Sequence, residues 1–153
     1  MPADILVKLY ALPPCPALPD GVVLRRPLPH ERSQLRMWIV REFSIGWADE
    51  FDTAFRSQPA SAWVLQRGGD ILGFACYDVT ARGFFGPAGV RESEQGQGLG
   101  RILLLASMHA LRELGYGYAI IGSAGPVDFY LRTLPAMLIP DSHPGIYPQP
   151  VDK

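Results

Sequence analysis

The sequence predicts an α+β fold: a mixed, mostly antiparallel sheet with helices flanking it in three layers. Three observations carry this. Gly68 and Gly69 separate two β-rich runs, 62–66 and 71–79, as in a tight hairpin whose turn residues take positive φ. A glycine-rich stretch, 95–101, joins another β-rich run, 84–90, to an apolar helical run, 99–114. A nearly all-apolar run, 118–122, follows that helix after a short turn, which predicts a right-handed βαβ crossover and one parallel strand pair.

Composition bounds the rest. A chain of 153 residues makes one domain that buries roughly 70% of its unfolded surface. Hydrophobic residues make up 48% and charges of both signs are mixed, which argues against disorder. The net charge of -1 offers no basic face, so nucleic acid is not an expected partner. The longest apolar run, 102–106, is far shorter than the ~20 residues of a membrane span. The start has no basic stretch and apolar core of a signal peptide. Cys15 and Cys76 form no C-x-x-C pair, and His30, His109 and His143 are scattered. A cytoplasmic protein with no metal site is the expectation.

Taken in order, residues 1–20 hold Pro2, Pro13, Pro14, Pro16 and Pro19. That density excludes a helix and argues against a central strand, so 1–20 is expected as an extended arm outside a domain at 21–153. A strand at 22–26 ends at Pro27. Leu35, Trp38, Ile39 and Phe43 recur at helical spacing and predict a helix at 30–43. Ser44 and Gly46 break it before a short second helix, 48–55, with Asp49 and Glu50 in its first turn. After the hairpin, strand 84–90 contains Gly86, Pro87 and Gly89, which weaken a regular ladder and predict a bulge or an edge. Ile102, Leu103, Ala106, Ala110 and Leu111 pack the main helix on the sheet, and Gly115 ends it. The run 118–122 reads as a strand buried on both faces. Pro126 opens a short helix, 127–133, and Pro135 stops it. A strand at 136–139 follows, with 145–147 a candidate last one.

The stretch V-R-E-S-E-Q-G-Q-G-L-G-R, 90–101, gathers the chemistry. A glycine-rich turn before a helix concentrates free N–H groups at the positive end of the dipole, which makes an anion site. The dinucleotide fingerprint fails, because the place of its third glycine falls on Arg101 and no acidic residue follows ~20 residues on. The P-loop fails for want of Gly-Lys-Ser/Thr. The spacing Q/R-x-x-G-x-G does fit, with Gln95, Gly98 and Gly100, and resembles the pyrophosphate loop of the GNAT N-acetyltransferases. The order of elements over about 21–148 is also similar to that family, and S-A-G-P-V-D-F-Y resembles its N-x-x-A-x-x-F-Y.

The resemblance implies a fold in which the strand before the loop splays from its parallel neighbour, and acetyl-CoA as co-substrate with no metal. The donor would be bound by Gln95, Gly96, Gln97, Gly98, Leu99, Gly100 and Arg101 at the pyrophosphate. Gly89 and Val90 would lie along the pantetheine arm, with Ser123 and Tyr130 beyond. The Val90 amide would face the acetyl oxygen, and Tyr130 falls on the family's general acid, a phenol protonated at neutral pH. The family's glutamate on strand 84–90 is missing, so Asp78, on the preceding strand, is the candidate base, with Asp49 and Glu50 as others acting through water. Acceptor specificity would come from Phe43, Trp47 and Glu50, an aromatic wall with a carboxylate suited to a cationic or polar amine. The expected activity is direct acetyl transfer to a primary amine of a small molecule. An acyl-CoA-binding or interaction module on the same fold is the alternative, favoured by the missing glutamate. The family's frequent dimerisation makes a homodimer an expectation. The segment H-P-G-I-Y-P, 143–148, reads as a rigid turn, at an interface or over the acceptor pocket.

Overall fold

Residues 2–152 are described by a computed structural model. Seven stretches pair into one sheet: β1 (Ala3–Lys8), β2 (Val22–Arg25), β3 (Ala62–Arg67), β4 (Asp70–Tyr77), β5 (Phe84–Val90), β6 (Tyr118–Ala124) and β7 (Ala136–Leu138). Their spatial order is β2-β3-β4-β5-β6-β1-β7. All neighbours are antiparallel except β5 and β6, which are parallel. Among the described residues four α-helices form: α1 (Arg32–Glu42), α2 (Ile45–Thr53), α3 (Leu99–Glu113) and α4 (Val127–Thr133). The expected α+β fold with a mixed, mostly antiparallel sheet is the observed one. Among the described residues no helix is long and apolar enough to cross a membrane.

Strand periodicity sorts the core into two layers. Val64, Phe74 and Cys76 face α1 and α2, where they meet Leu35, Trp38, Ile39 and Phe51. Leu65, Ala75 and Tyr77 belong to the larger cluster on the α3 side, with Leu99, Leu103, Leu104 and Met108. Each fully buried leucine contributes about 2 kcal/mol from apolar area alone. Ser44 caps α2 by accepting from the Trp47 N–H at 3.1 Å, so that helix starts earlier than expected. Asp49 and Glu50 consequently lie in its second turn.

Two expectations are corrected here. The arm at 1–20 is not a separate unit: 3–8 form β1, between β6 and β7, with Ile5 and Val7 fully buried. The prolines misled because all but Pro2 come after the strand. The rest of the arm straps α3. Leu9 is buried, its N–H donates to Gly117 O at 3.1 Å, and His109 Nε2 donates to Pro13 O at 2.8 Å. That cover explains why α3 is buried nearly all round, Leu104, Leu105 and Met108 included. The second correction is β6, which alternates rather than being buried on both faces: Ala119, Ile121 and Ala124 are covered, Ile120 and Gly122 only half so. The stretch 145–147 is a turn, not a strand.

Candidate active site

The glycine loop ends on a bare helix start. Gly96 and Gly98 take φ of 87 and 81, conformations that side chains with a Cβ rarely adopt. Gly98 is the N-cap of α3 and supplies no side-chain acceptor to the first N–H groups. Those groups border a cavity of about 440 Å³ lined by Gln95, Gly96, Gly98, Leu99, Gly100 and Arg101 from the loop, Ala88, Gly89 and Val90 from β5, and Phe129 and Tyr130 from α4. Free amides, a helix dipole and open space above the glycines suit a pyrophosphate. Glu94 also borders the cavity, but Gln97 Nε2 at 2.8 Å and the Arg67 guanidinium at 3.1 Å engage its carboxylate. The Gln97 hydrogen bond, then Arg67, hold its pKa below the ordinary carboxylate value. Gln97 is thus a brace of the loop and does not line this cavity, unlike its expected place.

Strand β5 opens the sheet. It pairs with β6 only at Phe84–Ile120 and Phe85–Ile121, and its register with β4 shifts between Ala75 and Tyr77. Beyond Phe85 the two parallel strands part. Val90 is paired with Gly73, and the next amide, Arg91 N–H, donates to Leu72 O at 2.8 Å. Peptide directions alternate along an antiparallel ladder. The Val90 N–H therefore points away from β4 into the opened gap. Gln95 Nε2 donates to the Val90 carbonyl at 3.2 Å and ties the loop to this strand.

The gap has a second side. A cavity of about 560 Å³ faces α2 and is lined by Trp47, Glu50, Thr80, Gly122, Ser123 and Tyr147, among others. Phe85, Ala88, Pro126 and Tyr130 line both cavities and so form the passage between them. Burial raises the Tyr130 phenol above the ordinary 10.0, so its hydroxyl stays protonated. Phe85 and Phe129 hold the ring at centroid distances of 6.5 and 5.4 Å.

The expected site residues divide. Tyr130, Gly89, Val90 and the loop residues other than Gln97 border the first cavity; Trp47 and Glu50 border the second. Ser123, expected with the donor, borders the second cavity and not the first, with φ 48 and its N–H donating to Asp4 Oδ1 at 2.8 Å. Phe43 borders neither. It stacks on Trp47 at 5.1 Å and presses on Gly89, where a β-carbon would meet its Cζ at 2.6 Å. Asp78 is likewise no part of the cleft. Its Oδ1 accepts from Gly83 N–H at 2.6 Å and Tyr116 hydroxyl at 2.8 Å, which closes the β4–β5 turn. Sequence reasoning missed Asp4 and Thr80, and named Tyr147 only in a candidate last strand and within a segment read as a turn at an interface or over the acceptor pocket. Contacts between distant parts of the chain bring these residues in, and spacing carries no signal of them.

An opened parallel pair inside an antiparallel sheet, with an anion cradle on one side, defines the class: an α+β domain built around a two-sided cleft. The chain belongs to the acetyltransferase (GNAT) family, whose model matches residues 32–132. A GCN5-related N-acetyltransferase from Sphaerobacter thermophilus aligns at 19% identity and TM-score 0.72, over 91% of this chain and 50% of that one. One from Kribbella flavida aligns at 19% and 0.60, over 90% and 54%. The GCN5-related glucosamine N-acetyltransferase region of a fungal multi-domain β-N-acetylglucosaminidase aligns at 15% and 0.70, over 90% of this chain and 20% of that one. The chain thus spans a fifth to about half of these structures, and the likeness is one of fold. No curated protein matches it.

Proposed function

We propose that the chain is an acetyl-CoA-dependent N-acetyltransferase that passes the acetyl group directly to a primary amine of a small molecule. The observation that carries this is Tyr130, whose protonated phenol stands where the donor and acceptor cavities join. Acetyl-CoA, when bound, supplies an activated thioester. The loop amides from Gly96 to Arg101 hold its pyrophosphate. The Val90 N–H donates to the acetyl oxygen as negative charge builds there, an effect worth about 3 kcal/mol for a preorganised donor. The acceptor nitrogen attacks the carbonyl carbon from the α2 side, and the carbon–sulfur bond breaks. Tyr130 gives its proton to the departing sulfur. Glu50 attracts the amine and takes up the proton it loses, directly or through water; Asp78, engaged at its turn, does not serve. The two cysteines, both unpaired, fit a cytoplasmic enzyme.

Tyr130→Phe is expected to lower kcat about a hundredfold, the usual worth of a general acid, while acetyl-CoA affinity by calorimetry stays the same. Unchanged kcat at saturating substrates would remove Tyr130 from the acid role. A second reading, an acyl-CoA-binding module without turnover, is favoured by β5, which carries no ionisable residue. Incubation with acetyl-CoA and a panel of amines, followed by assay for free thiol, separates the two.

A further inference from the structure

The acceptor cavity is completed by the two ends of the chain. Asp4, at the start of β1, is buried, and it is tied from three directions. Its Oδ1 accepts the Ser123 N–H at 2.8 Å, its N–H donates to Ser142 Oγ at 2.8 Å, and its carbonyl accepts the Ile139 N–H at 2.8 Å. Ser142 Oγ in turn donates to Ile139 O at 2.6 Å. At Gly145, φ 68, a β-carbon would lie 3.0 Å from Asp4 Oδ2, so the chain bends tightly around this carboxylate. The bend delivers Tyr147 onto β6. It lands on Gly122, where a β-carbon would overlap its hydroxyl and sit 2.9 Å from Phe84 Cε2.

Tyr147 thereby becomes a wall of the cavity that also holds Glu50 and Trp47. Burial, then the Glu50 charge, then the Asp4 charge raise its phenol above the ordinary value, so it enters as a neutral hydroxyl. Among the described residues no lysine, arginine or histidine lines this cavity, and Glu50 is the one carboxylate that does. The other carboxylate whose charge reaches Tyr147, Asp4, does not line the cavity and already accepts the Ser123 N–H. A ligand with a carboxylate would meet Glu50 as a like charge with no cation to answer it. An ammonium would meet Glu50 as a partner and the faces of Trp47 and Tyr147 as favourable surfaces.

We propose that Tyr147 is a specificity-determining residue of the acceptor cavity, closed over it by the Asp4 clamp, and that the cavity selects compact cationic amines that carry no carboxylate. The proposal rests on the acetyltransferase reading, yet it concerns binding and is tested as binding. Calorimetry on the full chain, with and without CoA, would use putrescine against ornithine and phenethylamine against phenylalanine. Within each pair the carboxylate is the main difference. Each amine is expected to bind about tenfold or more tighter than its carboxylated partner, the usual effect of a charge left unpaired in a partly buried site. Glu50→Gln is expected to abolish that preference. Tyr147→Ala, and Gly122→Ala, which evicts the ring without removing it, are each expected to weaken amine binding about tenfold and to leave CoA affinity unchanged. Asp4→Asn, with melting temperature checked, is expected to weaken it in the same direction, as a positioning residue would.

Failure of both amines to bind at millimolar concentration, equal affinity within each pair, or unaltered affinity in Tyr147→Ala would each overturn the proposal. If the amines bind as stated but no thiol is released from acetyl-CoA, the acetyl-transfer reading falls and the cavity assignment stands.

Discussion

Two side chains with ordinary sequence signals take opposite fates in the fold. Tyr130 stands at the join of the cavities, where burial stabilises its neutral form. Asp78, the last carboxylate before the irregular strand, instead commits both its reach and its charge to a turn. It sits at φ 62, a conformation that Asn and Asp tolerate better than other residues. Asp78→Ala is therefore expected to cost about 2 kcal/mol of stability, since it strands the Gly83 N–H and the Tyr116 hydroxyl. Asp78→Asn should cost less, because its amide oxygen can still accept. Urea midpoints alongside kcat check this: a loss of kcat in Asp78→Asn with the midpoint unmoved would restore the base role. Residues of the first kind are legible from motif position alone. Those of the second kind are not, because a carboxylate's partners are set by which donors the turn presents.

At the scale of the element, the loop and α3 act as one unit. The helix offers unpartnered N–H groups because its N-cap is glycine, and the loop brings no side chain to fill the space above them. Gly100 has ordinary φ, so a larger residue there adds bulk and charge without forcing a left-handed conformation. Gly100→Glu is expected to weaken CoA binding about a hundredfold or more, by setting a carboxylate against the pyrophosphate at the helix start. Calorimetry reads this directly, and equal affinity would mean that the anion site lies elsewhere. Arg67 and Gln97 brace the same loop through Glu94, so that the acidic residue at the cavity edge is already paired. The strand β5 complements the loop by what it lacks. With only two residues paired to β6, its later peptide groups on that side have no strand partner, and Gln95 takes up the Val90 carbonyl.

On the scale of the whole molecule, the ends of the chain finish both the core and the cleft. β1 fills the sheet between β6 and β7, the strap over α3 covers its outer face, and the C-terminal bend carries Tyr147. The same burial shapes the response to pH. The Cys76 thiol is pushed well above its ordinary 9.0 by burial and then by the Glu50 charge. Burial is also the first cause that raises Tyr116, Tyr130 and Tyr147 above 10.0. Each of these protons is held more tightly in the folded chain than in the unfolded one. Above the unfolded values the folded state binds more protons, so stability falls as pH rises. Denaturation midpoints are expected to be level to about pH 8 and to drop steadily from about pH 9 upward, with Cys76→Ala, though less stable overall, dropping later. A midpoint that holds or rises in that range would contradict the burial of these groups.

The amino-acid sequence by itself determined the class of the fold, the hairpin at Gly68-Gly69, the boundaries of β5 and α4, the glycine loop before α3 and the candidate acid Tyr130. These are local signals: a period, a turn residue, a motif of a few positions. Only the tertiary structure decided that residues 3–8 close the sheet, that Asp78 is engaged at a turn, that Ser123 and Tyr147 line the second cavity and that Asp4 holds the Ser123 N–H. Each of these depends on contacts between residues far apart in the chain, such as Asp4 with Ser123 and Tyr147 with Gly122. Such pairings are chosen by how the layers pack and which polar groups must be satisfied, and no spacing along the chain records them.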